Sequence, residues 1–344
     1  MPSLKKDARL SHYHEISASR PRVIVTRKLP AQVEQRMGEL FDVRLNADDI
    51  PFTPAQMVAA LQEADILVPT VTDKLDAEML AQAGSQLRMI ANFGVGVDHI
   101  DLPAAKAKGI IVTNTPSVLT EDTADIAMAL ILAAPRRLPE ATSLMRADEW
   151  AGWTPTFLLG HRVNGKKLGI VGMGRIGQAV ARRARGFGMA IHYHNRKPVH
   201  SSVEQVLDAT YWPDLDAMLP HVDIVSLNCP YTPQTHHLMN TSRLAHMRAD
   251  SYVINTARGA VLDEDALTKA LATRQIAGAG LDVYEHEPRI SDALRKLPNV
   301  VLLPHISSAT IEGRIEMGEK VIINIKSYVD GHRPPDRLLL SEVA

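Results

Sequence analysis

The stretch Lys167-Leu-Gly-Ile-Val-Gly172-Met-Gly174-Arg175-Ile176-Gly177 restricts the possible folds of this chain more than any other segment. A short apolar run bounded by turn residues reads as a strand buried on both faces, and the Ala- and Arg-rich residues after Gly174 read as a helix. Three glycines at this spacing between a strand and a helix have a steric purpose. Gly172 permits the tight turn, Gly174 lets another group approach the backbone, and Gly177 lets the helix pack closely on the strand. The helix start presents N–H groups without intrahelical partners, which suit a pyrophosphate. The segment therefore predicts a dinucleotide-binding turn in a doubly wound parallel sheet.

The chain has 344 residues, which allows two domains. From residue 22, β-branched runs at 22–26, 65–69, 87–91 and 110–113 alternate with helical patterns near 31–40 and 76–83, a rhythm that predicts a parallel sheet with flanking helices. After Asn114, Thr115 and Pro116, Thr120 is expected to cap a helix with Glu121, Asp122 and Asp125 in its first turn. This helix runs toward Met145, is interrupted at Pro135 and Pro139, and is the hinge candidate. A second series of six strands follows at 167–172, 190–194, 224–229, 251–257, 279–283 and 300–303. The final helical pattern, 309–329, ends at Gly331 before Pro334 and Pro335, lacks a strand of its own and is expected to pack back on the first series. The predicted organisation is a tail at 1–21, a substrate-binding domain at 22–117 completed by 306–333, an inserted dinucleotide-binding domain at 118–305, and a tail at 334–344.

Charge and composition exclude several functions. Lys and Arg total 38 against 39 Asp and Glu, and aromatic residues are 4% of the chain, so neither a field for a phosphate backbone nor stacking platforms for bases are present. Nucleic acid is not an expected partner. Cys229 is the sole cysteine, which rules out an internal disulfide or a multi-cysteine metal site and suits a reducing compartment such as the cytoplasm. The mixed charges of residues 1–21 fit neither a signal peptide nor an anchor. The longest apolar run, 126–135, is about half a bilayer span, so no membrane association is expected.

Polar residues collect where the strands of the second series end, and in doubly wound sheets these ends face the ligand. The second strand closes with His192-Tyr-His194-Asn195-Arg196-Lys197, without the acidic residue that would hold an adenosine ribose. Asn195 removes a repelling carboxylate, and Arg196 and Lys197 can pair with a 2′-phosphate, so NADP is the preferred cofactor and NAD a possible one. The alternative is that both cations belong to a solvated loop. Three further ends are Asn255-Thr256-Ala257-Arg258-Gly259, Asp282-Val-Tyr-Glu285-His-Glu287-Pro288 and Pro304-His305-Ile-Ser-Ser308. Taken singly, Arg258 could be a surface ion pair, Glu287 a helix cap and His305 a satisfied core histidine. Together they supply a guanidinium to fix a carboxylate, a histidine to give and take a proton, and a carboxylate to orient that histidine. His192, His194, His236 and His237 suggest a metal site at first sight. They are set aside, because the first two lie on one strand and the adjacent pair is expected to point apart.

These segments, with Gly94-Val95-Gly96-Val-Asp98-His99-Ile-Asp101, make the chain similar to the D-isomer-specific 2-hydroxyacid dehydrogenases from about residue 22 to 331. The resemblance implies two Rossmann-like α/β domains, flavodoxin-like and doubly wound, with the active site in the cleft. It makes Arg258 the substrate-binding arginine, Glu287 the glutamate before proline and His305 the acid and base. Val95 and Gly96 would hold the substrate carboxylate through their N–H groups, and Val71, beside Thr70, would line the substrate. The cofactor set that goes with it is Gly172, Gly174, Arg175, Ile176, Gly177, Asn195, Arg196, Lys197, Cys229, Pro230, Thr235, Thr256, Ala257, Asp282 and Thr123.

Within the family, Trp150-Ala-Gly-Trp153-Thr-Pro155 and the Asn195 strand end look most like the glyoxylate and hydroxypyruvate reductases. That implies reduction of a small 2-keto acid by a homodimer that buries Trp150, Trp153 and Phe157, with Trp153 narrowing the partner's substrate site. Ser307, where the family usually has glycine, and His99, where it often has asparagine, depart from the pattern. Retention of Glu287 argues against formate dehydrogenases, which have glutamine there. An NAD(H)-sensing corepressor-like protein and a phosphoglycerate dehydrogenase are the other readings. The first is disfavoured by the retained Arg258, Glu287 and His305, the second by Asn195 and by the short sequence after Pro335.

Overall fold

The computed structural model describes residues 20–338, so the tail expected at 1–21, apart from Arg20 and Pro21, and residues 339–344 of the other tail lie outside the described residues. The chain divides into two compact units. One comprises the residues up to Leu119 and those from Thr310, and the other is Thr120–Ala309.

In the first unit the strands β1 (Arg22–Val25), β2 (Asp42–Arg44), β3 (Ile66–Val68), β4 (Met89–Ala91) and β5 (Ile111–Thr113) form a parallel sheet in the order β2-β1-β3-β4-β5, the flavodoxin-like order. The sequence reading missed β2, an edge strand whose Asp42-Val43-Arg44 offers no apolar run and no buried residue. It also missed the helix Pro54–Glu63, although Thr53 and Gln56 form a reciprocal capping box ahead of it and Pro54 opens it. The last helix, Ile311–Val329, is capped by Thr310, whose side chain accepts from Gly313 N. Its Met317, Val321, Ile322, Ile325 and Tyr328 join Val33, Met37, Ile66 and Met89 in one core. Gly318 keeps it close, since a Cβ there would lie 2.4 Å from a Val33 methyl. The described part of the tail expected from residue 334 is fastened to this unit. Arg337 bridges Thr113 in antiparallel fashion, Leu338 N donates to Val112 O at 2.9 Å, and Asp336 accepts from Asn324 Nδ2 at 2.9 Å. The open edge of β5 supplies the partners that the tail expectation overlooked.

In the second unit β6 (Lys167–Val171), β7 (Ala190–His194), β8 (Ala209–Trp212), β9 (Ile224–Leu227), β10 (Tyr252–Asn255), β11 (Gly278–Leu281) and β12 (Val300–Leu302) form a parallel sheet in the order β12-β11-β10-β9-β6-β7-β8. Six strands were expected, and the seventh is β8, an edge strand entered through Asp208 in the left-handed conformation (φ 48°). Apolar clusters cover both faces, one built on Met218, Leu227, Val253 and Leu267, the other on Ala127, Ile131, Ile170 and Val180. The strand order reverses between β6 and β9, and a sheet of this type binds ligands beyond the strand ends at that point. The long helix expected after residue 120 is two helices, Thr120–Ala133 and Leu138–Arg146, parted at Pro135 and at Arg137 with φ 53°. Thr120 is the first helical residue of the pair rather than its cap.

Candidate active site

At the switch point the glycine turn is held by close contact. Gly172 has φ +99°, and a Cβ on it would lie 2.6 Å from Cys229 N, so the end of β6 rests directly on the residues after β9. A Cβ on Gly177 would lie 2.2 Å from Gly172 O. Gly174 borders open space and precedes the helix Arg175–Gly186 without a side-chain cap, so its first N–H groups, beginning with Arg175 and Ile176, remain available. Two buried polar atoms at neighbouring strand ends, Asn228 Oδ1 and Thr256 Oγ1, have no partner among the described residues. A turn stripped of side chains with orphaned acceptors and donors beside it fits a dinucleotide. Next along, Thr235 Oγ1 accepts from Thr232 N at 2.7 Å and lies 2.8 Å from Pro230 O, which pins the loop after Cys229. Burial pushes the Cys229 thiol up to about 11, which makes it a poor nucleophile.

Asn195 turns its amide inward, and its Oδ1 accepts from Met173 N at 2.7 Å. Its NH2 end is left for a ligand. Arg196 and Lys197 are exposed and make no ion pair among the described residues. Thr123 is buried in the first turn of Thr120–Ala133.

Arg258, Glu287 and His305 follow β10, β11 and β12, three adjacent strands of the same sheet. His305 Nδ1 lies 2.7 Å from Glu287 Oε2, and an ionised carboxylate can only accept, so Nδ1–H donates and Nε2 is the exchanging nitrogen. Burial pushes the Glu287 carboxyl up, but the hydrogen bond and charge of His305, Tyr284 N and the charge of Arg258 together hold it below the usual carboxylate range. Glu287 Oε1 accepts from Tyr284 N at 2.9 Å. His305 has φ 54°, a strained value for a residue with a Cβ, and its surroundings enforce it. His305 N donates to Asp282 O at 2.9 Å, and the buried Asp282 carboxylate accepts from Ile306 N at 2.8 Å, from Ser307 N at 2.9 Å and from the Ser307 hydroxyl. Asp282, placed in the cofactor set by resemblance, thus lies under the histidine loop, and Ser307, one of the departures from the family pattern, adds a donor to it.

The Arg258 turn is also built in. Asn255, fully buried, donates through Nδ2 to Arg258 O at 3.0 Å and accepts at Oδ1 from Ala257 N at 3.0 Å. Gly259 presses on the glutamate loop so tightly that a Cβ would fall 1.9 Å from Tyr284 C. The sequence reading passed over Asn255 and Gly259 as functional residues. Their signal was an asparagine closing an apolar strand, followed within a few residues by a glycine.

In the first unit Val71, 38% exposed, follows β3 in a loop tied by Thr70 N donating to the buried Asp73 Oδ2 at 2.8 Å. Val95 and Gly96, half-buried, follow β4. The segment after Leu138–Arg146 leaves Trp150 52%, Trp153 80% and Phe157 40% exposed. His236 and His237, expected to point apart, stack at 3.9 Å, because His237 takes a left-handed conformation (φ 47°) and is bound through Nε2 to Glu285 Oε1 at 2.7 Å. Among the described residues no group of three or more His, Cys, Asp or Glu is arranged to hold a metal ion, and no helix is long and apolar enough to cross a membrane.

The profile of the NAD-binding domain of D-isomer specific 2-hydroxyacid dehydrogenases matches residues 128–307. A glyoxylate reductase of Thermococcus litoralis is 44% identical over 323 residues, 92% of this chain and 96% of the relative. Among solved structures, the TT0316 protein from Thermus thermophilus superposes with a TM-score of 0.85 at 43% identity, covering 92% of this chain and 100% of that one. An NADPH-dependent glyoxylate/hydroxypyruvate reductase from Sinorhizobium meliloti, solved with NADP and malonate, gives 0.83 at 37% identity over 93% of this chain and 97% of that one.

Proposed function

The chain belongs to the D-isomer-specific 2-hydroxyacid dehydrogenase family, and from that premise we propose that it reduces a small 2-keto acid, glyoxylate or hydroxypyruvate, to the D-2-hydroxy acid at the expense of NADPH. The observation that carries this reading is the His305 to Glu287 hydrogen bond of 2.7 Å, on strand ends of the same sheet that carries a turn fitted for a dinucleotide. When bound, the reduced nicotinamide supplies the hydride that adds to the keto carbon. His305 delivers the proton to the carbonyl oxygen from Nε2, and the Glu287 carboxylate favours the imidazolium that makes this possible. Arg258 offers a planar fork to the substrate's carboxylate and carbonyl oxygen, where negative charge develops as the hydride arrives. Val95 and Gly96 bind the carboxylate through backbone N–H groups, and Val71 limits the size of the substituent.

The preference for NADPH rests on the β7 end. Asn195 Oδ1 accepts from Met173 N and its NH2 donors make no other hydrogen bond among the described residues, and such donors suit a 2′-phosphate, an acceptor at neutral pH. Arg196 and Lys197 stand exposed beside it. NADH remains a weaker donor in this reading. Four large apolar side chains, Trp150, Trp153, Phe157 and Leu159, are exposed within one short segment, so we propose a homodimer that covers them. The single Cys229 suits a reducing compartment, and the cytoplasm is the proposed setting. A panel of 2-keto acids assayed with NADPH and NADH in parallel tests the assignment. Glyoxylate or hydroxypyruvate with NADPH should give the highest kcat/KM, and failure to turn over any 2-keto acid defeats the reading. Light scattering tests the dimer, and a fully active monomer at micromolar concentration defeats that part alone.

A further inference from the structure

We propose that Asn92, Asn114 and His99 are positioning residues that hold open the N–H groups binding the substrate carboxylate, an inference that rests on the 2-keto acid reading above. The carbonyls of Gly94, Val95 and Gly96 are all taken by side chains or backbone of the first unit. Asn92 Nδ2 donates to Gly94 O at 3.0 Å and to Gly96 O at 2.9 Å, Asn114 Nδ2 donates to Val95 O at 2.8 Å, and Thr115 N donates to Gly94 O at 3.0 Å. In a planar trans peptide the N–H points opposite to the C=O. Fixing these three carbonyls therefore turns the N–H groups of Val95, Gly96 and Val97 the other way, and among the described residues none of the three donates a hydrogen bond. Three successive N–H groups so arranged form an anion-binding nest.

Asn92 is fully buried and uses both Nδ2 hydrogens, so its Oδ1 is left to face His99 Nε2 at 3.0 Å. An amide oxygen only accepts, so His99 donates, and that bond fixes which way the Asn92 amide points. Gly94 makes room for the arrangement, since a Cβ would lie 3.0 Å from Val71 Cγ1 and 3.3 Å from Asn92 Nδ2. Asparagine thus acts here as a staple for peptide orientation, and at this loop the substrate carboxylate meets the backbone N–H groups rather than the asparagines.

The test uses Asn114→Leu, His99→Leu and His99→Asn, because replacing the fully buried Asn92 risks unfolding. KM for glyoxylate, KM for NADPH and kcat are measured separately in the reduction, and oxalate binding to the NADPH-loaded protein is followed by calorimetry. Asn114→Leu should raise the glyoxylate KM about tenfold and weaken oxalate by the same factor, with the NADPH KM and kcat changed by less than about twofold. His99→Leu should act in the same direction by about fivefold, and His99→Asn, which keeps an N–H donor, should recover most of that loss. An unchanged glyoxylate KM in folded Asn114→Leu, or equal losses in both His99 variants, overturns the inference. Oxalate binding that weakens in Asn114→Leu, in a protein that reduces no 2-keto acid, retains the nest and defeats only the functional reading.

Discussion

Two regions of the seven-stranded sheet, the ends of β11 and β12 and the end of β7, treat their polar side chains in opposite ways. Beyond β11 and β12 the acidic groups are bound within the protein: Asp282 takes three donors from residues 306–307, and Glu287 takes His305 Nδ1 and Tyr284 N. Beyond β7 the protein binds only the Asn195 acceptor, and Arg196 and Lys197 stand exposed without ion pairs among the described residues. A group that must deliver a proton at one atom has to be oriented before the substrate arrives, whereas a cation that reads a phosphate is oriented by the phosphate itself. Internal bonding at a strand end therefore marks chemistry, and unpartnered charge at a strand end marks ligand selection.

Removing the exchanging group should break this contrast most severely. His305→Ala is expected to lower kcat for 2-keto acid reduction on the order of a hundredfold or more, while NADPH binding measured by fluorescence titration stays close to wild type. A comparable loss of NADPH affinity would mean that His305 holds the cofactor instead. Glu287→Gln should have a smaller effect that depends on pH. The carboxyl is held below its usual range, so in the parent it remains ionised from neutral pH down to that depressed value and keeps accepting from His305 Nδ1 throughout. Below that value the parent carboxyl becomes protonated and the reductive rate should fall, whereas a glutamine has nothing to titrate there, so this acid decline should be missing from the variant. A pH–rate profile that superposes on the parent's would remove Glu287 from the mechanism.

The legible part of this molecule was the part written in glycines and apolar runs. Gly172, Gly174 and Gly177 showed the doubly wound sheet because Gly172 and Gly177 answer to the close approach of neighbouring backbone, seen in their Cβ clashes, while Gly174 leaves open space at the helix start. The alternation of apolar runs showed the buried parallel strands, but not β2 or β8, edge strands whose residues are only partly buried and make no apolar run. Arg258, Glu287 and His305 were picked out by residue type and by position at strand ends. What holds them was hidden, since Asn255, Gly259 and Asp282 act through hydrogen bonds and contacts between segments far apart in sequence. The stacking of His236 on His237 was misjudged for a similar reason. A positive φ at a histidine is set by its tertiary partner Glu285, and nothing local announces it.

The smallest expected effect is the sharpest test of the β7 end. Arg196→Ala removes a guanidinium that has no structural bond among the described residues to lose, so stability and kcat should be unchanged within about twofold. Its effect should fall on the cofactor alone. A charge-assisted contact to a 2′-phosphate is worth roughly 1.5 kcal/mol, or about tenfold, so the NADPH KM should rise by that factor. NADH carries a hydroxyl where NADPH carries the phosphate, and its KM should stay within about twofold of the parent value. Raising the ionic strength should shrink the difference between parent and variant for NADPH, because an exposed charge pair is screened over about 10 Å at 0.1 M salt. Equal increases for both cofactors would show that Arg196 supports the adenosine pocket generally, and exposed cations at that strand end would no longer mark ligand selection.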